Sequence, residues 1–374
     1  MMTKYGWKLS MFTAAALFLS ACGVESGNSG NNDETDVEVN EGNNNVVEDE
    51  TNNNEANNNG EAAEAEVEYE WQIGWNSGLD DDSKGEAAKA FAEHVMEASN
   101  GRVDIEFFPN ETYASSPEMI DAVQVGALDM ALPGANELAG AIPEYAALSL
   151  PFLTEGFEEA HAVLDGPVGD DLKALGEEQG FITLNDVEIG FAQITNSVRP
   201  IEEPSDLEGL SIRSPNDVSL IETFNALGSS VSTMDYTEIY SGLSQGVIDG
   251  QFNPLLSIYD QNMQEVQDYL AITNHTYYYS YFIMNDDLFN SLDEELQEIV
   301  REGSEHARDA ARDFIAGEEE AAIERAEDEF EVVTYPDLEP FQEAVLPVYD
   351  EVSDVMGEEI IADMQDFLEE YRNN

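Results

Sequence analysis

Apolar residues recur along this chain with two periods, and the points where one period gives way to the other mark out its elements. Glu70-Trp71-Gln72-Ile73-Gly74-Trp75 alternates and stops at Asn76-Ser77-Gly78, which predicts a strand and a turn. Ala87, Ala88, Phe91, Ala92, Val95 and Met96 then fall on one helical face. Asn100-Gly101 ends that run, and Val103-Asp104-Ile105-Glu106-Phe107 alternates as a second strand. The order continues with helices near 117–126, 156–165 and 167–179, a short apolar segment at 128–132, and a strand at 181–184. A second run of the same kind starts at Leu210-Ser211-Ile212-Arg213, with helices near 217–227 and 236–246 and a segment at 230–234 between them. Residues 293–326 read as one long helix with Leu296, Ile299, Val300, Ala307, Ala310, Ala311, Phe314 and Ile315 on its apolar side. A strand at 330–334 and acid-rich helices close the chain. Strands alternating with helices predict an α/β fold whose parallel or mixed sheets are covered on both faces. Two such runs predict two lobes, and the long helix is of a length to lie across both.

The first residues follow a different pattern. Lys4 and Lys8 precede the apolar run 11–19, the order of a secretory signal peptide, and the run is too short to span a bilayer. It ends in Leu19-Ser20-Ala21-Cys22-Gly23, which resembles the bacterial lipoprotein processing box, so Cys22 is expected to carry lipid. Cys22 is also the single cysteine of the chain, which excludes an internal disulfide. From Val24 to about Glu68 the chain is Asn, Glu, Gly and Ser with almost no large apolar residue, the composition of a disordered tether.

Charge narrows the partners. The chain holds 81 acidic against 13 basic residues, a formal net charge of −68. Both nucleic acid and anionic membrane surfaces need Lys and Arg to displace their counterions, so both are excluded as partners. The tether accounts for only 14 of the acids, so the folded region is strongly acidic as well. Salt screens such self-repulsion, and a saline exterior or an alkaline one would suit this surface.

Against that background cations are informative. Between Lys173 and Arg301 only Arg199 and Arg213 occur. Arg213 is placed at the C-terminal end of a strand, where open α/β sheets bind ligands, and its planar fork matches a carboxylate. A salt bridge to a neighbouring acid is an equal reading of the residue alone. For Arg199, in the extended connector before Pro200, an ion pair is the favoured reading. His94, His161, His275 and His306 lie on separate elements without zinc spacing, so neither metal nor cofactor is expected. There is no phosphate-cradling glycine loop and no serine-nucleophile motif, and abundant acids make any carboxylate pair uninformative. The run Tyr277-Tyr278-Tyr279 with Tyr281 and Phe282 reads as a strand in a core before it reads as a stacking surface.

Several stretches in order resemble one family. They are Asn196 to Ile201, Asp206-Leu207-Glu208-Gly209-Leu210-Ser211-Ile212-Arg213, Ala226-Leu227-Gly228, Glu238-Ile239-Tyr240 and Gly246 to Pro254. Upstream stand Phe108-Pro109-Asn110, Gly126-Ala127-Leu128-Asp129-Met130 and Leu150-Pro151-Phe152. From about residue 69 onward the chain resembles the DctP-like solute-binding proteins of TRAP transporters. The resemblance implies a two-lobed flytrap with crossing strands, no enzymatic activity, and an extracytoplasmic receptor that hands a small organic acid to small and large membrane subunits driven by an ion gradient. The divisions it implies are a leader at 1–22, a tether at 23–68, one lobe from 69–192 with about 282–320, and the other from 193–281 with about 321–374. It implies that Arg213 pairs with the ligand carboxylate, with Asn253 nearby and Asn76, Gln193, Asn216 and Tyr236 along the cleft. Asp249-Gly250 reads as a structural turn. Family members that bind sialic acid carry an Arg where this chain has Gln193 and a Glu where it has Gly134, and both departures argue against that sugar. With a single fixed cation, a monocarboxylate fits at least as well as a dicarboxylate. A sensory lipoprotein acting on a membrane receptor is the alternative role.

Overall fold

The computed structural model describes residues 66–373. The expected leader, Cys22 with its expected lipid, and nearly all of the expected tether lie outside the described residues. Ten strands are present among them: β1 (Tyr69–Gly74), β2 (Val103–Phe108), β3 (Met130–Ala131), β4 (Phe181–Asn196), β5 (Ser211–Ser214), β6 (Ser230–Thr233), β7 (Gly250–Pro254), β8 (Tyr269–Ala271), β9 (Tyr277–Asn285) and β10 (Val332–Thr334). They form two mixed sheets that share β4. In the first sheet the order is β2-β1-β3-β9-β4, with β1 parallel to both β2 and β3, and β9 antiparallel to β3 and β4. In the second, residues 192–196 of β4 pair antiparallel with β7 and residues 194–196 pair antiparallel with β8. β5 extends this sheet parallel to β7 and β6, and β10 pairs with β8. β4 is therefore the crossing strand of a two-lobed α/β molecule.

Sequence periodicity finds only the first four of its 16 residues, for a physical reason. Once β4 leaves its first helix-covered turn it is buried on both faces, so no polar/apolar alternation survives. Its polar residues Asp186, Glu188, Gln193, Thr195 and Asn196 are themselves buried, and all but the Asn196 side-chain amide nitrogen find partners inside the protein. Register shifts with β9 before Asp186 and at Gly190, which has φ 115°, bend the strand where the sheets diverge. The tyrosine-rich run is the fully buried β9, the core strand that its composition predicted.

The long helix runs over Glu294–Glu329, capped by Asp293, whose side chain accepts the Leu296 amide. At 36 residues it is about 54 Å long. Leu296, Ile299, Val300, Ala307 and Ala311 pack in one core with Phe91, Ala92 and Val95 of the helix Ser83–Ala98. Ala322 and Ala326 pack in another core with Ile239, Leu255 and Ile258 of the second lobe. Gly303 permits the close crossing, since a Cβ there would lie 2.9 Å from a Val95 methyl. Arg312 ties the helix to the crossing strand through Asp186 (3.0 Å) and to the end of the helix Phe157–Leu164 through Asp165 (2.7 Å). The last helix, Glu358–Asn373, lies against the first lobe, with Arg372 bonded to Glu159 and to the Leu153 carbonyl.

Two expectations are revised, those for Arg199 and Gly250, and one contact between histidines is new. Arg199 has no acidic partner among the described residues; its guanidinium donates to the carbonyls of Asp206 (2.8 Å) and Glu208 (2.9 Å), which holds the connector in shape. His94 and His306, distant in sequence, stack with ring centroids 4.4 Å apart because their two helices pair; among the described residues no group of three metal-ligating side chains forms. Gly250 serves no turn. It opens β7 against β4, where a Cβ would stand 2.2 Å from the Thr195 carbonyl oxygen, and Asp249 beside it accepts the Ser211 amide.

Candidate functional site

A cleft lies where the C-terminal ends of strands from both sheets meet, the position at which open α/β sheets bind ligands. Its first wall follows β1 and β3. Asn76 and Ser77 leave β1 in a loop closed by the Trp75 indole N–H, which donates to the Gly78 carbonyl. Asp82 then caps the helix Ser83–Ala98, accepting the amides of Lys84 and Gly85 and the Ser77 hydroxyl at 2.7 Å. Lys84, only 4% exposed, sends its ammonium back to Asn76 Oδ1 at 2.8 Å. The Asn76 amide donates to Glu137 Oε1 at 3.1 Å, and Glu137 Oε2 accepts the Gly134 amide at 2.8 Å. One continuous chain of bonds thus runs from Lys84 through Asn76 to Glu137.

The second wall is built on β5 and β7. Arg213 reaches the cleft from near the end of β5, 4% exposed, and its Nε donates to the Met234 carbonyl at 2.9 Å. That bond orients the fork and leaves its terminal nitrogens for the cavity. Asn253, near the end of β7, is steadied by its amide bond to Gln251 Oε1 (2.5 Å), which in turn donates to Thr195. Tyr236 donates to the Ser257 carbonyl at 3.0 Å. From β9, the buried Tyr278 hydroxyl also borders the cavity and has no hydrogen-bond partner. Across the mouth, the Thr237 hydroxyl donates to Glu111 Oε2 at 2.9 Å. The walls bound about 510 Å³ free of protein atoms, part of it open to solvent.

Burial and charge act differently on the ionisable groups. Burial pushes the Asp82 carboxyl up to about 6. The Lys84 ammonium is lowered by burial, against the fields of Glu137, Asp82, Glu111 and Asp260. Arg213 is also lowered by burial, with Tyr278 and Glu137 acting the other way. Neither cation has a carboxylate within ion-pairing distance among the described residues, so the equal reading of Arg213 as a structural salt bridge is not realised.

Of the six residues expected along the cleft, Arg213, Asn253, Asn76 and Tyr236 line it together. Gln193 and Asn216 do not. The Gln193 side chain is consumed by the 273–274 turn, accepting the amides of Thr273 and Asn274 and donating to Asn274 Oδ1 at 2.6 Å. Asn216 is exposed beyond β5. Lys84, Glu137, Asp82 and Tyr278 line the cavity and were missed by sequence reasoning, so the cleft holds a second cation. Lys84 did leave a signal: a lysine in the first turn of a helix opposes the helix dipole and is seldom buried.

Two lobes joined by a shared strand, with a polar cleft at their strand ends, define a solute-binding receptor. Residues 77–354 match the family of bacterial extracellular solute-binding proteins, family 7, and the chain belongs to that family, the DctP-like receptors of TRAP transporters. These are extracytoplasmic transport proteins, not enzymes. The chain is 34% identical to the 2,3-diketo-L-gulonate-binding periplasmic protein of Escherichia coli over 71% of its own length and 81% of that protein's. It is 29% identical to the C4-dicarboxylate-binding periplasmic protein of Rhodobacter capsulatus, covering 75% and 86%. A TRAP periplasmic solute-binding protein from Polaromonas sp. JS666, solved bound to D-erythronate, superposes with a TM-score of 0.76 at 30% identity, covering 80% of this chain and 98% of that one.

Proposed function

We propose that this chain captures a small organic acid outside the cytoplasm by pairing the ligand carboxylate with Arg213, and hands it to the membrane subunits of a TRAP transporter. The observation that carries this reading is the state of Arg213: a buried guanidinium, held by one backbone carbonyl, without an acidic partner in a chain of 81 acids. A buried cation left so is costly unless a ligand completes it. The unpartnered Tyr278 hydroxyl beside it is a second donor for the same carboxylate, and Asn253 and Tyr236 complete that wall. The named ligands of the relatives, a diketo sugar acid, C4-dicarboxylates and erythronate, share a carboxylate. In this reading Gln193 is a support for the 273–274 turn and Asn216 sits at the rim, while the lobes hinge where β4 passes from one sheet to the other.

Titration calorimetry with a panel of organic acids tests the clamp. Arg213→Ala is expected to abolish or strongly weaken binding of every acid the native protein takes, and undiminished binding would remove Arg213 from the role. The lipid on Cys22 is proposed from its processing-box context. Mass spectrometry of the mature protein should find acylation at Cys22; an unmodified, freely released protein would exclude it.

A further inference from the structure

Resting on that carboxylate-receptor reading, we infer that the Lys84–Asn76–Glu137 wall makes the site selective for a hydroxylated monocarboxylate, with Glu137 as the residue that turns away a second carboxylate. The two ends of the cleft differ in charge balance. Neither cation has an ion-pair partner among the described residues, but at the Arg213 end the fork is free of side-chain bonds and fewer carboxylates act on it, Glu137 and Asp235. At the other end one ammonium is embedded in the fields of four carboxylates, Glu137, Asp82, Glu111 and Asp260. A second ligand carboxylate placed there would meet more negative charge than positive.

Hydroxyl groups fit the same wall. The Lys84 ammonium has three protons and gives one to Asn76 Oδ1, so it can donate to a ligand oxygen. Each Glu137 oxygen accepts one bond, from the Asn76 amide or the Gly134 amide, and keeps lone-pair capacity for a hydroxyl donor. A hydroxyl that accepts from Lys84 and donates to Glu137 satisfies both, whereas a carboxylate can only accept. Glu137 cannot swing aside cheaply, because both its oxygens are bonded within the wall. The ligand class is therefore an aldonate or another polyhydroxy acid, its carboxylate on Arg213 and its hydroxyls toward Lys84 and Glu137.

The experiment is calorimetry of the whole protein with three four-carbon acids that differ at the far end: erythronate, butyrate and succinate, with gluconate as a longer hydroxy acid. Native protein is expected to bind erythronate or gluconate roughly tenfold or more tightly than succinate, since like-charge apposition costs several kcal/mol. Butyrate, which offers the wall nothing, should bind more weakly than the hydroxy acids. Glu137→Gln, checked for native melting, should narrow the hydroxy-acid to succinate ratio by roughly tenfold. Succinate binding as tight as the hydroxy acids, or an unchanged ratio in folded Glu137→Gln, overturns the inference while Arg213-dependent binding keeps the receptor reading. Failure of every acid to bind at millimolar concentration, or binding that ignores Arg213→Ala, overturns both. The native ligand panel alone decides the matter if the variant does not fold.

Discussion

The two walls of the cleft each bury one cation and treat it in opposite ways. Arg213 is anchored by a single backbone carbonyl and faces the cavity with its fork free, beside a tyrosine hydroxyl that has no partner. Lys84 is woven into a side-chain chain through Asn76 to Glu137 and sits in the field of several acids. An unbalanced charge attracts a charged group, and a balanced polar network attracts a neutral one that can both donate and accept. The difference teaches that counting cations in a cleft says less than asking which of them is already held in a side-chain network.

The largest expected effect breaks the Arg213 wall. Arg213→Ala should cost every carboxylate ligand about 1.5–3 kcal/mol, roughly a tenfold to hundredfold loss of affinity, read by calorimetry. Lys84→Met should cost about 0.5–1.5 kcal/mol, confined to ligands with hydroxyls and sparing plain monocarboxylates; an equal loss for both would erase the contrast between the walls. Tyr278→Phe should cost a comparable or smaller amount for all carboxylates, about 0.5–1 kcal/mol, while leaving the melting point of the empty protein unchanged or slightly raised. That split between affinity and stability separates a ligand donor from a structural one.

Acid should act on the two walls with opposite sign. His275, packed edge-on against Phe252 behind the second wall, is lowered by burial to about 3. Its folded pKa lies below the unfolded value, so its contribution is intact above the unfolded pKa and is lost as pH falls from about 6.5 toward 3, about 1 kcal/mol between pH 8 and 6. Denaturant titrations of His275→Gln should lack that loss. Asp82 in the first wall is raised to about 6, so its folded form takes up a proton more readily than the unfolded chain and the cost of its buried charge is relieved as pH falls through 6. Asp82→Asn, which keeps a capping side chain, should gain stability relative to native protein mainly above pH 6, by roughly 1 kcal/mol or less. The same pH trend in both variants would refute the opposed signs.

How much of this was legible depends on what each residue shows its neighbours in sequence. β1, the helix after it, β2 and the long helix were readable because each has a wetter face, and a wet face prints a period; β5, buried from Ile212 onward, was readable from its apolar start at Leu210 and its motif. β4 beyond its fourth residue and β7 were not, since both faces are largely buried and their polar residues find partners inside the protein; β8 is only three residues long. Arg213 and Asn253 were accessible through their place in a recognisable motif, and Arg213 also through the rarity of cations around it. Glu137 was hidden among 81 acids. Tyr278 was hidden in a run of tyrosines whose neighbours Tyr277 and Tyr279 spend their hydroxyls on Glu188 and the Tyr145 carbonyl.

The sequence by itself determined the α/β class, the family, the excess of acid and the rarity of cations around Arg213, because these depend on period, composition and local motif. Only the tertiary structure decided that Lys84 is a second cleft cation, that Gln193 is spent on a turn, and that Arg213 has no acid beside it. Such facts concern which groups far apart in the chain lie within bonding distance, and the spacing of residues along the chain does not encode them one by one. Charge balance in the cleft is a property of the two walls together, settled where β4 brings their strand ends to one place.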